Sequence, residues 1–327
     1  MPSFGRREEQ GDALAAASLA SIEAGGLPIA AQRRLDDLRN RPGTFFTSDL
    51  SVNEFVLVKE AGFQPVTQVM GSCFYHLGYQ WMPAWQSAPA YWTDAGGNLA
   101  YGGASARSGE TVELETASEA WNEARRLALG RLSEEASRAG ADAVVGVRIE
   151  RGAYDWAAGL IEFVVTGTAV VSDRYALPND GGGPLLSNLS GQDFANLFHH
   201  GWCPVGLVAG STVCYVMTGW GQRNTMGTGL LTSWQNQELP DFTRGMYDAR
   251  TQAMLRVSRQ AHELGAHGIV GVRMEHDEHE RETDRGGTKF RDLVVTMHVL
   301  GTAIVELAGR EDPPPVYTAL RLDREDG

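Results

Sequence analysis

Ala139-Gly140-Ala141-Asp142-Ala143-Val144-Val145-Gly146-Val147-Arg148-Ile149-Glu150 decides the fold, because it returns as Leu264-Gly265-Ala266-His267-Gly268-Ile269-Val270-Gly271-Val272-Arg273-Met274-Glu275. One copy reads as a helix closed by glycine and followed by a Val-rich strand. Two copies read as a duplicated domain. Upstream, Leu50-Ser51-Val52-Asn53-Glu54-Phe55, with Gly62-Phe63-Gln64-Pro65-Val66 and Gly71-Ser72, recurs as Leu189-Ser190-Gly191-Gln192-Asp193-Phe194, Gly201-Trp202-Cys203-Pro204-Val205 and Gly210-Ser211. Downstream, Gly167-Thr168-Ala169-Val170-Val171 recurs as Gly301-Thr302-Ala303-Ile304-Val305. Three matches in one order, with unequal loops between them, establish two homologous units.

The repeats fall at residues 46–176 and 186–308, joined by a Gly/Pro linker over 177–185 and followed by a tail over 309–327. Residues 1–45 form a helical N-terminal segment, with helices expected over 12–23 and 28–39 about a Gly-Leu-Pro step. Each repeat predicts a short helix (50–61, 189–200), a strand (65–75, 204–216), a long excursion and a long amphipathic helix. The helix stripes are Trp121, Ala124, Ala128, Leu132, Ala136 and Met246, Ala249, Ala253, Val257, Ala261. Thr116 to Glu119 has the spacing of a capping box. Two motif strands then complete a largely antiparallel sheet. The fold class is α+β, one long helix on each sheet.

The 327 residues carry 41 acidic and 28 basic side chains, a net charge of −13, which opposes sequence-independent nucleic-acid binding. The 3 cysteines include no CxxC pair and fit a reducing compartment. No apolar run is long enough for a membrane span, and the first residues lead into an Ala-rich stretch without a secretory core. A cytoplasmic protein is the expectation. No phosphate-cradling loop, G-x-S-x-G elbow or HExxH motif is present, so enzymatic activity is not expected.

Gly140 to Arg148 with Gly167 to Val171, and Gly265 to Arg273 with Gly301 to Val305, resemble the YbjQ-type family (DUF74 or UPF0145), labelled as a putative heavy-metal-binding domain. The resemblance implies dodecin-like α+β subunits that assemble into pentameric rings, with metal binding proposed for the family. Duplication and unequal insertions depart from that pattern. The N-terminal helices separately resemble the short SHOCT-type modules found beside other domains.

Soft or borderline metals need Cys and His converging from several directions. Cys73 with His76, His199-His200 with Cys203, and Cys214 have no equivalent pair in the other copy, so the repeats share no inherited thiolate site. Residues three apart on a strand also point to opposite faces. The run Glu275, His276, Glu278, His279 reads either as a solvated acidic hairpin tip or as a weak surface site for a divalent ion. What both copies keep is Arg148 with Glu150 and Arg273 with Glu275, two apart on one strand face, opposite Val145, Val147 and Ile149 or Val270, Val272 and Met274. This charged face reads as a salt bridge, a subunit contact or a small-ligand contact. Trp81, Trp85, Trp92, Trp220 and Trp234 in Gly/Pro-rich loops read as intrachain packing or as an aromatic interface.

The resulting expectation is a non-enzymatic, ring-forming homo-oligomer with a scaffold or interaction role. Five chains contributing ten domains as two stacked pentamers is the favoured closed arrangement, over repeats that alternate within one ring. A partner protein could dock through the N-terminal helices or the aromatic loop. The alternative is a metal-ion or small-ligand binding protein.

Overall fold

A computed structural model of the chain describes residues 4–40, 46–76, 99–101, 104–106, 109–153, 160–175, 177, 183–226, 236–285 and 287–307. The first part holds α1 (Phe4–Glu23), α2 (Ile29–Asn40), α3 (Val52–Glu60), β1 (Phe63–His76), β2 (Leu99–Tyr101), β3 (Ala104–Ala106), β4 (Thr111–Glu113), α4 (Glu115–Arg138), β5 (Ala143–Ala153) and β6 (Leu160–Ser172). The second holds β7 (Leu185–Leu186), α5 (Gly191–His199), β8 (Trp202–Val216), α6 (Trp220–Met226), α7 (Pro240–Glu263), β9 (Gly268–Asp284) and β10 (Lys289–Glu306). The α+β layering and the order of elements match the sequence reading. No helix among the described residues is long and apolar enough to cross a membrane.

The two main sheets run β1-β6-β5-β7 and β4-β8-β10-β9, and each borrows a strand from the other repeat. β4, which leads into α4 of the first repeat, pairs antiparallel with β8 of the second. β7, at the start of the second repeat, pairs parallel with β5 of the first. Leu185, read from sequence as the end of the linker, therefore belongs to a sheet.

Each long helix lies on its own sheet through the predicted stripe; Trp121, Ala124, Ala128, Leu132 and Ala136 are buried, as are Ala249, Ala253, Val257 and Ala261. The duplicated Gly-Ser pairs explain how closely helix and strand approach. A Cβ on Gly71 would stand 2.0 Å from the Ala128 carbonyl oxygen, and one on Gly210 would stand 2.7 Å from that of Ala253. Only glycine admits a helix backbone at that distance.

Gly146 and Gly271 adopt positive φ (+69° and +61°), and the strand register shifts beside each of them. These are β-bulges, which insert a residue and turn the strand. The bulge corrects the expectation that Val145, Val147 and Ile149 share one face. Val145 joins the cluster of Phe63, Val170 and Phe194, whereas Val147 joins Ala124, Ala128 and Leu132 under α4.

The capping box expected at Thr116 to Glu119 does not form. α4 begins at Glu115 with Leu114 as an N-cap that offers no side-chain bond. Ser118 Oγ instead accepts the Val213 N–H from the second repeat at 2.9 Å. The complete box sits on α3, where Ser51 and Glu54 satisfy each other's backbone N–H groups. The N-terminal helices dock on α4: Leu27 and Leu35 are buried against Ala139, and Arg131 donates to the Ile22 and Gly26 carbonyls. At the far end of the second sheet, buried Asp292 accepts from Tyr215 Oη, Thr283 Oγ1 and the Thr218 N–H and pairs with Arg285.

Candidate functional site

The candidate site is the junction between the repeats. It starts from the Gly-Thr-Ala motif, whose threonines hold the segment preceding each short helix. Thr168 Oγ1 accepts the Asp49 N–H at 3.0 Å, and Thr302 Oγ1 accepts the Asn188 N–H at 3.2 Å. Segment 187–189, held in this way, lies along the outer edge of β5. Ser187 donates to the Val144 carbonyl, and Gly146 and Val147 donate to the carbonyls of Leu189 and Ser187. Gly191 then lets α5 meet α3, since a Cβ there would stand 2.8 Å from Glu54 Cβ.

On the other side of the junction α4 runs along the edge of β8. Asn122 brackets Ser211, donating to its carbonyl at 2.8 Å and accepting its N–H at 3.0 Å. Arg125 donates to Ser211 Oγ at 2.6 Å and to the Ala209 carbonyl at 3.0 Å. The contact is heterologous: the first repeat offers β4, α4, β5 and one face of α3, while the second offers segment 185–190, α5 and the β8 edge.

Duplication provides an internal control for this interface. Val56 on α3 is 46% exposed, whereas its counterpart Ala195 on α5 is fully buried by the neighbouring repeat. Met70 on β1 is 49% exposed against 4% for Ala209 on β8, and Val272 on β9 is 39% exposed against 0% for Val147 on β5. Val52 is also exposed on α3, while on α7 Tyr247 and Arg250, the counterparts of Asn122 and the buried Arg125, face outward. The first repeat thus leaves open the surface that the second has used, and the second leaves open the surface that the first has used. Both open surfaces carry exposed large apolar side chains.

Between the repeats lies a cleft of about 490 Å³, including its open mouth, walled by β5 and α4 on one side and β8, β9 and β10 on the other. Arg125, Arg148, Arg151, Arg273, Glu275 and His298 line it. Arg151 is committed to Glu275 at 2.6 Å and Asp277 at 2.8 Å. Arg125 has no carboxylate partner among the described residues. Burial, and secondarily the nearby cation of Arg256, lowers its pKa to about 10. His298 is held well below its usual value by burial, then by Arg151 and Arg125, and so stays neutral.

Arg148 and Arg273 line one cleft with Glu275, but Arg148 pairs with Asp49 at 3.5 Å and Glu275 pairs with Arg151 across the repeats, not within its own strand. Glu150 is exposed beside Arg148. Sequence reasoning missed Arg125, Arg151 and His298. Of the five loop tryptophans singled out above, Trp220 is exposed and meets Phe290 edge to face at 4.8 Å. Trp81, Trp85, Trp92 and Trp234 lie outside the described residues.

Glu275, His276, Glu278 and His279 lie on strand β9 and not on a hairpin tip. Pairing with β10 sets His276 and Glu278 on one face, 3.1 Å apart, and Glu275 and His279 on the other. Among the described residues no three His, Cys, Asp or Glu side chains converge as a metal requires. The thiols do not fit one either: Cys73, Cys203 and Cys214 sit in three separate cores. Burial pushes Cys203 up to about 11 and Cys214, helped by Glu113 and Asp248, up to about 12, away from the thiolate a metal needs.

A family model described as "putative heavy-metal-binding" matches residues 96–173 and 205–306, more than half of the chain. A Mycobacterium tuberculosis protein named an encapsulin nanocompartment protein is 35% identical over 232 residues, 69% of this chain and 76% of its own length. A UPF0145 protein of Methanococcus maripaludis is 45% identical over 74 residues, 22% of this chain and 59% of that protein.

Proposed function

Since the chain belongs to the YbjQ-type, "putative heavy-metal-binding" family, with a tandem pair of its domains, we propose that it is a non-enzymatic, self-assembling cytoplasmic protein whose copies join head to tail. The observation that carries this reading is the heterologous junction between the repeats, together with the two open half-surfaces at the ends of the chain. A second copy offers the surface each of them lacks, with the strand pairing, helix contact and apolar burial already seen inside one chain. The name of the M. tuberculosis relative, an encapsulin nanocompartment protein, supports self-assembly.

Heterologous contacts close into rings or run on as filaments. The side-by-side junction favours repeats that alternate around one ring over repeats that stack as separate rings. An alternating ring holds an even number of repeats, whatever the number of chains. The role is that of a scaffold, with the N-terminal helices on α4 as a place for partner proteins. Native mass spectrometry at micromolar concentration tests this. A single closed multiple of the 35.4 kDa chain is expected, and a monodisperse monomer would overturn it.

A further inference from the structure

We propose that the cleft between the repeats is a binding site for a small organic monoanion, a carboxylate carried on an apolar body. Two independent observations meet there. The first is a donor without an acceptor. Arg125 Nη1 donates to Ser211 Oγ, which is hydrogen-bonded to His298 Nδ1 at 2.8 Å, and we assign the hydroxyl as the donor of that bond. The imidazole proton then resides on Nε2. That nitrogen is buried without a hydrogen-bond partner among the described residues, in a residue only 9% exposed. Asp277 Oδ2 stands 3.9 Å from it, beyond hydrogen-bond reach.

The second observation is charge. Arg125 is a buried guanidinium whose bonds go to a hydroxyl, an amide and a carbonyl, and to no carboxylate. Arg273 lines the same cleft, and its guanidinium makes no hydrogen bond or ion pair among the described residues. A buried cation without a counter-charge is costly, and a bound anion offsets that cost. A carboxylate takes the Nε2–H and one guanidinium together, in the charge-assisted geometry that arginine favours. Ile149, Phe163 and Leu300 supply the apolar wall. Glu275, with its charge on Arg151, leaves room for one negative charge more readily than for several.

The site is specific to the contact within the chain, because the first-repeat counterpart of His298 is Val164. It stands whether or not copies associate.

The test uses the full chain and sodium benzoate, followed by the ring ¹H–¹⁵N resonances of His298, with benzyl alcohol as the uncharged control. The expected result is a proton on Nε2 and a saturable shift with benzoate. Binding weakens about tenfold in Arg273→Ala, the scale of one charge-assisted bond, and is unchanged in Arg259→Ala, an exposed arginine on α7 away from the cleft. Because Arg273 is exposed, its substitution leaves the fold intact. A proton on Nδ1, no saturable shift, equal binding of benzyl alcohol, or full binding by Arg273→Ala would each overturn the proposal.

Discussion

Blocking one half of the head-to-tail joint at a time gives a sharp test, because the two halves lie on opposite repeats. Val56→Glu places a carboxylate on α3 at a position whose counterpart, Ala195, is fully buried under the neighbouring repeat. The change removes about 2 kcal/mol of apolar burial and sets an unpaired charge in the contact, which costs several kcal/mol more. The sum, on the order of 4–5 kcal/mol, weakens association about a thousandfold or more. At 46% exposure in the isolated chain the same substitution leaves folding intact. Val272→Glu on β9 blocks the complementary half. Each variant alone should run as a monomer in size-exclusion chromatography with light scattering. An equimolar mixture should form a species of twice the chain mass and nothing larger, since one intact joint remains. Assembly by either variant alone, or a mixture that stays monomeric, would refute the reasoning.

Other consequences of the structure are local. Gly71→Ala should destabilise the fold by more than about 3 kcal/mol in urea unfolding, since its Cβ would meet the backbone of α4. Gly130→Ala, with nothing within 4 Å on the exposed side of the same helix, should be neutral or stabilising by up to about 1 kcal/mol. The three cysteines should resist an aromatic disulfide reagent at pH 8 until the protein is unfolded, because all are buried and their thiols stay protonated. Tyr215→Phe removes one donor from the buried Asp292 carboxylate and should cost about 1–3 kcal/mol.

What the sequence made legible was whatever is local or duplicated. The glycines that close α4 and α7 and the alanine stripes follow from short-range rules, and each appears twice. The exchanged strands β4 and β7 did not emerge, because three and two residues carry too little pattern to show which distant edge they join. The stretch 275–280 reads as a polar tip because β9 is exposed on both faces there. Its strand conformation comes from pairing with Leu293 to His298, not from its own alternation. Duplication marks Arg148, Arg273 and Glu275 on the rim of the cleft but not its centre. His298 and Ser211 come from one repeat and Arg125 from the other, so their conjunction is a property of the junction and not of either copy.

The most direct measurement of head-to-tail association is a cross-link placed by the internal symmetry. Val144 on β5 pairs with Leu186 on β7; the corresponding positions on the open surfaces are Ile269 and Thr47. A Thr47→Cys, Ile269→Cys double variant, oxidised under native conditions, should give a ladder of disulfide-linked chains on a non-reducing gel. Either single variant should not. The native cysteines are buried and stay silent. A double variant that remains monomeric on oxidation while keeping its fold would contradict the account.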